Sequence, residues 1–515
     1  MMGKIENLAT PGFVADIPDL LTADGAWTDS RNVRYRDGAA EKFKGYTACL
    51  GSLSATSIFA APITDGANSF WVYGSNTVLY ATDGTTHANV SHLSVTYAAT
   101  DDLGWTGGAF HGFMLANDGL AIPQSWSPGL GNRFTSLTAW PSITCKVMRP
   151  FKDFIFALRI TDTGVYNPRV LRWSDAAQQG ALPGSWDYTD PTNQAGITEL
   201  GQTQDSLVDA IPLRDSLIVY KDSNTWLADF VGGSDVFGFR QVFSQVGMLT
   251  ENCGLAFGSQ HLVLTDTDVV LHDGNSVQSI LDKRARRWLF NAINTARYKR
   301  CFMVADYRNR EAHVCIPESG YDWPNLSLCW NWAENTLQVM DWGGPKTYGA
   351  FGIIPAGGAS STFDTDSTTF EGDAVTFDET TFNSFQSRVL MLDSTKPLAY
   401  QNDTGDTYNG QQMTTYATRT GMGLTSDFSR IKRVKRILPR IIGTAGDTVR
   451  FYIGSRAQLG DSTLWSGPYT FTIGTDYKID LRISARILDM RFEYSGVNTF
   501  RFHTVEFEFE ADGYR

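Results

Sequence analysis

The residue patterns that mark common catalytic and metal sites are missing from this 515-residue sequence. It contains no G-x-S-x-G, P-loop, HExxH or CxxC motif, which argues against serine hydrolases, P-loop nucleotide sites and zinc or dithiol sites. Two Asp-x-Asp pairs, at 266/268 and 364/366, supply too few oxygen ligands for a Ca²⁺ loop, so we expect loop acids there. We therefore predict that the chain is not an enzyme and uses no cofactor and no metal.

A weaker pattern points to glycans. The run Thr22-Ala23-Asp24-Gly25-Ala26-Trp27 resembles the Asp-box of sialidases, and paired carboxylates can cleave glycosidic bonds. The run occurs once and lacks the usual final Thr-Trp pair, whereas an Asp-box propeller carries several copies. A glycan-binding or glycan-cleaving β-propeller, of lectin or sialidase type, is therefore the alternative function.

Residues 430–440, RIKRVKRILPR, are strongly basic in a chain whose net charge is −12. One interpretation is contact with DNA phosphates. The other, which we favour because the whole chain is acidic, is an inter-subunit edge strand that meets the acidic face of a neighbouring copy. The residues predicted to contact a subunit or partner are Arg430, Lys432, Arg433, Lys435, Arg436 and Arg440, together with Arg284, Arg286 and Arg287.

The last three arginines belong to a helix predicted over residues 283–297, where Trp288, Leu289, Ala292 and Ile293 recur at helical spacing. Two interpretations stay open. The basic half of the helix could dock on an acidic neighbour, or the helix could be an insertion that packs its apolar face on the rest of the domain.

The composition predicts that most of the chain is built from β-strands. Aromatic residues make up 13% of the chain, glycine occurs 48 times, and long windows with helical spacing are nearly absent. Asp-Gly turns and short apolar runs indicate successive hairpins between about 55 and 350, at intervals of 30 to 50 residues. This period favours an irregular β-propeller of five to seven blades, with stacked sandwiches or a large barrel as alternatives.

We predict an all-β fold: an irregular β-propeller followed by a smaller C-terminal β-sandwich-like domain. Residues 1–50 form an N-terminal arm and a propeller-closing strand, and residues 51–354 form the propeller. Residues 355–387 repeat a Thr-Phe-Asp unit and are interpreted as a linker or arm between domains. Residues 388–515 form the C-terminal β-domain, whose last strand has a phase slip near His503 that indicates a bulge.

Three stretches resemble one family in the same order. Residues 32–46, NVRYRDGAAEKFKGY, are similar to the N-x-R-x-R-D-G … K-x-G start of tail proteins from short-tailed bacteriophages. Residues 170–175, VLRWSD, with 183–187, PGSWD, are similar to their R-W-S-D … P-x-x-W signature. The Thr-Phe-Asp repeat, which has Phe where the family has Trp, and the closing FRF and GYR runs resemble the end of the same proteins.

This family includes the packaged-DNA stabilisation proteins, also called tail-hub or nozzle proteins. The resemblance implies a homohexameric ring below the portal ring and the head-to-tail adaptor, with tail fibres or spikes as further partners. Viral double-stranded DNA would pass through the lumen without tight binding, as an acidic wall allows. The expected location is the virion tail, after synthesis in the host bacterial cytoplasm. We expect no membrane span, because no run of about 18 apolar residues occurs.

Overall fold

The computed structural model describes residues 2–66, 68–233, 235–355, 387–425, 429–458 and 460–511. Seven of its sheets are propeller blades. The blade strands, in order, are Phe59–Asp65, Asn68–Gly74, Leu79–Thr82 and His87–Asn89; Thr106–Phe110, Phe113–Asn117, Gln124–Trp126 and Thr135–Ser136; Ile143–Phe151, Phe154–Asp162, Val165–Trp173 and Gly196–Glu199; Leu207–Leu213, Ser216–Lys221, Asn224–Phe230 and Phe237–Ser244; Gly254–Phe257, Gln260–Leu264, Val269–His272 and Val277–Ser279; Phe302–Asp306, Glu311–Ile316, Leu326–Asn331 and Thr336–Asp341; and Lys346–Ile353, Ser387–Asp393, Leu398–Asn402 and Tyr46–Ser52.

The first strands of the blades form a closed ring. Each contacts the first strand of the next blade, and that of blade 7 contacts that of blade 1. Blade 7 takes its outer strand, Tyr46–Ser52, from the N-terminal part of the chain, antiparallel to Leu398–Asn402. Aromatic side chains fill the layers between blades: Phe156, Trp173 and Phe237 pack together between blades 3 and 4. A single four-stranded sheet cannot bury its own apolar faces. Packing each blade against its neighbours buries these faces and stabilises the ring.

The second domain is a two-sheet sandwich built from both ends of the chain. Its first sheet contains Ile479–Ala485, Lys432–Gly443, Phe500–Ala511, Ala39–Lys42, Val33–Arg36 and Met2–Ile5. Its second sheet contains Leu464–Thr472, Thr448–Arg456, Ile487–Tyr494, Thr415–Met422 and Asp29–Arg31. Phe451, Phe492 and Phe502 meet edge to face between the sheets. The predicted bulge is present, because the pairing of Phe500–Ala511 with Lys432–Gly443 slips at His503.

The all-β propeller-plus-sandwich fold class is thus confirmed, and two domain boundaries need correction. The sandwich does not begin at residue 388, because Ser387–Asp393 and Leu398–Asn402 belong to blade 7. Residues 356–386, with the Thr-Phe-Asp repeat, lie outside the described residues, but Ile353 pairs with Ser387 across one sheet. That segment therefore joins two neighbouring strands of one blade rather than two domains. The N-terminal arm also supplies strands to the sandwich instead of remaining an appendage.

Helices are short in the described part of the chain. The α-helix is Arg286–Ala292, and 3₁₀ turns occupy Asp19–Leu21 and Tyr298–Arg300. The two-residue strands Gly12–Phe13 and Ala26–Trp27 extend blade 6 in the parallel direction. Among the described residues, no helix has both the length and the apolar character needed to cross a bilayer.

Candidate functional site

A polar cluster links the inner strands of consecutive blades. From blade 3, Arg149 donates hydrogen bonds to both carboxylate oxygens of Asp209 in blade 4, at 2.7 and 2.8 Å. It also bonds the Asn252 side chain, next to blade 5, and the Gly107 carbonyl in blade 2, at 2.9 and 3.3 Å. One side chain therefore ties four blades together. Arginine and carboxylate at bidentate distance form a strong, oriented pair.

A small cavity lies beside this cluster, at the ends of the inner strands. Three of its lining carboxylates are ion-paired: Glu251 with Arg159, and Asp101 and Asp102 with Arg300 at 3.3 and 3.0 Å. Its free space is about 30 Å³, enough for about two water molecules. This arrangement offers neither room for a sugar ring nor an unpaired carboxylate for acid–base chemistry.

The junction between sandwich and propeller holds a buried ion cluster. Arg34, in the sandwich strand Val33–Arg36, lies 2.9 Å from a carboxylate oxygen of Glu311 and donates to the other oxygen at 3.0 Å. Its Nη1 lies 2.9 Å from Asp403, which follows blade 7. Burial would lower the pKa of Arg34, but the carboxylates outweigh it and raise that pKa. The first motif of the phage-tail resemblance thus binds the sandwich to blades 6 and 7.

Side chains with metal-ligating atoms lie next to this pair. The oxygen, nitrogen and sulfur atoms of Glu311, His313 and Cys329 lie within 4.8 Å of one another, and all three residues are buried. Burial raises the pKa of Glu311 to about 7 and lowers that of His313 to about 4. Such a set could hold Zn²⁺, with one ligand short of a closed site. The guanidinium of Arg34 already pairs with the carboxylate of Glu311, so a metal cation would have to displace it.

The central motif of the resemblance folds a loop back onto blade 3. Arg172 donates to the carbonyl of Trp186 at 3.1 Å, and the Trp186 ring is buried against Trp140. Ser174 accepts a hydrogen bond from the amide of Ile155 at 3.0 Å. These contacts hold the loop against the blade, and the groups that make them are used in packing and hydrogen bonding.

The basic run lies on strand Lys432–Gly443 from Lys432 onward, and Arg430 precedes that strand. We predicted an edge strand here, and the edge position is wrong. This strand pairs on one side with Ile479–Ala485 and on the other with Phe500–Ala511. Val434 and Ile437 are buried in the core of the sandwich, and cations of the run meet acids of the neighbouring strands. The contacts are Lys435 with Glu510, Arg436 with Asp480 and Glu508 at 3.5 and 3.3 Å, and Arg440 with Glu506 at 3.8 Å; Lys432 is buried and donates to the carbonyl of Arg486 at 3.1 Å.

The helix arginines also have partners inside the chain. Arg286 pairs with Asp268 at 2.7 Å, Arg287 donates to the carbonyl of Asp16 at 2.8 Å, and Arg284 donates to Asn335. The apolar face of the helix packs inward, with Leu289 buried. Of the two interpretations, the contacts match an insertion packed on its own chain. The ion pair of Arg286 uses Asp268, which belongs to the first Asp-x-Asp pair. The second pair, 364/366, lies outside the described residues.

The Asp-box-like run lies at the domain junction rather than in a blade turn. Trp27 is buried and its indole Nε1 donates to the carbonyl of Leu8 at 2.8 Å. Gly25 lies so close to the backbone that an added Cβ would stand 2.2 Å from the carbonyl oxygen of Asn7. The residues of this run pack the N-terminal arm against the sandwich.

Two polar features escaped sequence reasoning because their members are far apart in the chain. Tyr220 bonds His261 at 2.7 Å and His272 at 2.6 Å in the layer between blades 4 and 5. Because His261 Nε2 meets the Pro212 carbonyl and His272 Nδ1 accepts from the Gly274 amide, two neutral imidazoles satisfy every bond. Burial lowers the pKa of each histidine to about 4. The second feature is a cavity of the sandwich lined by Arg419, which is buried and donates to the carbonyl of Thr22 at 2.7 Å.

No family model and no curated protein matches the sequence. Among solved structures, the chain is similar to PorZ, a surface component of the type-IX secretion system of Porphyromonas gingivalis, at 10% identity and a TM-score of 0.34; the match covers 72% of this chain and 43% of PorZ. It is also similar to the AfRom2 CNH domain, at 9% identity and a TM-score of 0.33, over 60% of this chain and 91% of that domain. Likenesses this distant carry no functional argument.

Proposed function

We propose that this chain is a structural subunit of the tail of a short-tailed bacteriophage. It would form the nozzle or tube below the portal ring and the adaptor, hold back the packaged DNA, and provide its exit channel during ejection. In this role the chain performs no catalysis. Its partners are further copies of itself, the neck proteins and tail fibres or spikes, and it resides in the virion.

The observation that supports the proposal is that residues of the phage-tail motifs make structural contacts within the chain. Arg34 locks sandwich to propeller, and Arg172, Ser174 and Trp186 hold the blade-3 loop. A tail subunit must bear the pressure of packaged DNA, and it needs rigid domains rather than reactive groups. Motifs that build a scaffold are what such a subunit requires.

The close ring of first strands bears on where DNA would pass in the proposed assembly. Each first strand contacts the next around the ring and Arg149 bridges neighbouring blades, which leaves no opening wide enough for a duplex within one propeller. The channel must therefore lie between copies. Residues 43–414, which include the propeller, contain 23 Lys and Arg against 37 Asp and Glu. A lumen lined by such surfaces repels phosphates and lets DNA slide.

The proposal is tested by mass photometry of the purified chain, alone and mixed with purified virion necks that lack it. We expect particles at six times the 56.9 kDa chain mass, in solution or only on the necks. On DNA-filled heads whose necks lack the chain, adding the chain should then protect the packaged DNA from nuclease better than leaving it out.

An unrelated acidic protein of similar mass, added to the same necks, is the control. A chain that stays monomeric and leaves the mass of the necks unchanged would overturn the proposal. In that case a glycan array is the next measurement, because the alternative function requires selective sugar binding.

A further inference from the structure

A cleft between blades 5 and 6 has the size of a small-molecule site. Its volume is about 400 Å³, and such sites occupy about 300–1,000 Å³. One wall is the outer strand of blade 5, Val277–Ser279, with the segment that follows it. The other wall is the end of the blade-6 strand Leu326–Asn331 with the turn after it. Because the two walls belong to different blades, no short stretch of sequence contains the whole lining.

The blade-6 wall is aromatic, since Trp330 and Trp332 both line the cleft. Trp330 is buried, and its indole Nε1 donates to the side-chain oxygen of Asn335 at 3.0 Å. Trp332 is only partly buried, and its ring lies 4.7 Å from that of Phe257 and 6.1 Å from that of Tyr307. These contacts hold both indoles in place before a ligand arrives, which reduces the cost of ordering them on binding.

The polar part of the lining carries no net charge. Of the described residues that line the cleft, Asp282 is the one acid and Arg284 the one cation. Both terminal nitrogens of Arg284 already donate to Asn335, to its side-chain oxygen at 3.1 Å and to its carbonyl at 2.7 Å. The carboxylate of Asp282 is 59% exposed and lies 3.6 Å from Arg286. The cleft therefore offers no free cation for a phosphate or carboxylate ligand.

Groups that can make further hydrogen bonds surround the two indoles. Within the part of the chain that the structure describes, three of them have no hydrogen-bond partner: the side-chain amide of Gln278, the amide nitrogen of Asn335 and the indole nitrogen of Trp332. Gln278 and Asn335 are exposed, so water satisfies them in the free protein. The lining thus presents donors and acceptors around an aromatic surface.

We propose that this cleft binds a neutral sugar unit of a glycan. One face of a pyranose ring is a patch of C–H bonds with partial positive charge, which matches the negative face of an indole. The edge of the same ring carries hydroxyls that donate and accept hydrogen bonds. Among the described lining residues Asp282 is a single carboxylate, whereas glycosidic cleavage uses a pair, so the cleft binds sugar without cleaving it. This inference does not depend on the nozzle proposal.

The test is a glycan array probed with the fluorescently labelled full-length chain. The array carries neutral oligosaccharides of glucose, mannose, galactose and N-acetylhexosamines, together with sialylated forms of the same oligosaccharides. We expect binding to one or more neutral glycans, with no gain from sialic acid. The neutral glycan that gives the strongest signal is then titrated in soluble form by isothermal calorimetry.

Two variants place the site, and each has a matched control. Trp332→Ala removes the stacking surface and should weaken binding at least tenfold. Gln278→Ala removes an exposed amide and should weaken binding about tenfold. Trp465→Ala and Gln260→Ala should bind normally, because Trp465 is 39% exposed in the sandwich, Gln260 is an exposed residue of blade 5, and neither lines the cleft.

If Trp332→Ala fails to fold, Gln278→Ala still decides, because the Gln278 side chain has no hydrogen bond to lose within the described chain. Absence of binding to every neutral glycan, or binding to sialylated glycans alone, overturns the proposal. Equal affinities of Gln278→Ala and Gln260→Ala overturn it as well.

Discussion

Removing Arg34 should loosen the sandwich from the propeller more than any surface change. Arg34→Met keeps the length of the side chain but leaves Glu311, which is fully buried, and Asp403, which is nearly so, without their cation. Breaking a buried ion pair by deleting one partner costs about 3–5 kcal/mol, because the remaining charge is uncompensated. Arg36→Met is the matched control: Arg36 is on the same strand, its side chain is 32% exposed, and its loss should cost about 1 kcal/mol or less.

The cost of Arg34→Met should also depend on pH, with a sign that follows from Glu311. Burial already raises the pKa of this carboxyl to about 7, and Arg34 opposes that rise. Without the arginine, folded Glu311 binds its proton more tightly, whereas unfolded Glu311 keeps its ordinary pKa near 4.5. A raised folded pKa means that stability is lost as pH increases. The penalty should therefore be larger at pH 8 than at pH 5.5.

The assay is urea unfolding followed by tryptophan fluorescence, combined with limited proteolysis of the N-terminal arm. The double variant with Glu311→Gln should recover part of the loss, because the unpaired charge is then gone. A penalty for Arg34→Met no larger than that for Arg36→Met, or one that does not change with pH, would refute this account of the junction.

The remaining predictions concern single features of the fold. Stability should fall as pH drops from 6.5 to 4, by up to about 3 kcal/mol for each of His261 and His272, because their folded pKa near 4 lies below the ordinary value; a flat unfolding profile over that range would contradict it. Gly45→Ala should lower the melting temperature strongly, since the new Cβ would stand 1.8 Å from a backbone carbonyl oxygen, whereas Gly184→Ala, with nothing within 4 Å, should not. Arg436→Gln should change the unfolding free energy by about 1 kcal/mol or less in urea titrations, because its ion pairs are solvent-exposed; a larger loss would show that the outer charges of the sheet hold the sandwich together.

Hairpins and their partners could be predicted from the sequence because both strands lie within one local window. Turns and short apolar runs predicted successive hairpins between about 55 and 350, where the blades lie, and the phase slip near His503 marked a real bulge. The domain boundaries could not be placed in this way. Nothing local distinguishes Ser387–Asp393, which continues a blade, from the first strand of a new domain.

The prediction of an edge strand failed for a related reason. A basic strand in an acidic chain suggested an exposed edge, but the acids that pair with Arg436, Asp480 and Glu508, lie 44 and 72 residues away in sequence. The junction at Arg34 and the cavity at Arg419 depend on still longer separations. Pairing between distant strands determines these sites, and the composition of any one segment does not reveal it.

The pairing of the first strands with the last ones has a consequence for biosynthesis. Tyr46–Ser52 must wait for Leu398–Asn402 before blade 7 is complete, and Met2–Ile5 must wait for Phe500–Ala511. A nascent chain therefore leaves the ribosome with unpaired strand edges at its N-terminal end until nearly all of it has been translated. Contacts of such long sequence separation slow folding and favour aggregation or chaperone capture of the incomplete chain. They also ensure that a product truncated before its last strand contains no complete sandwich.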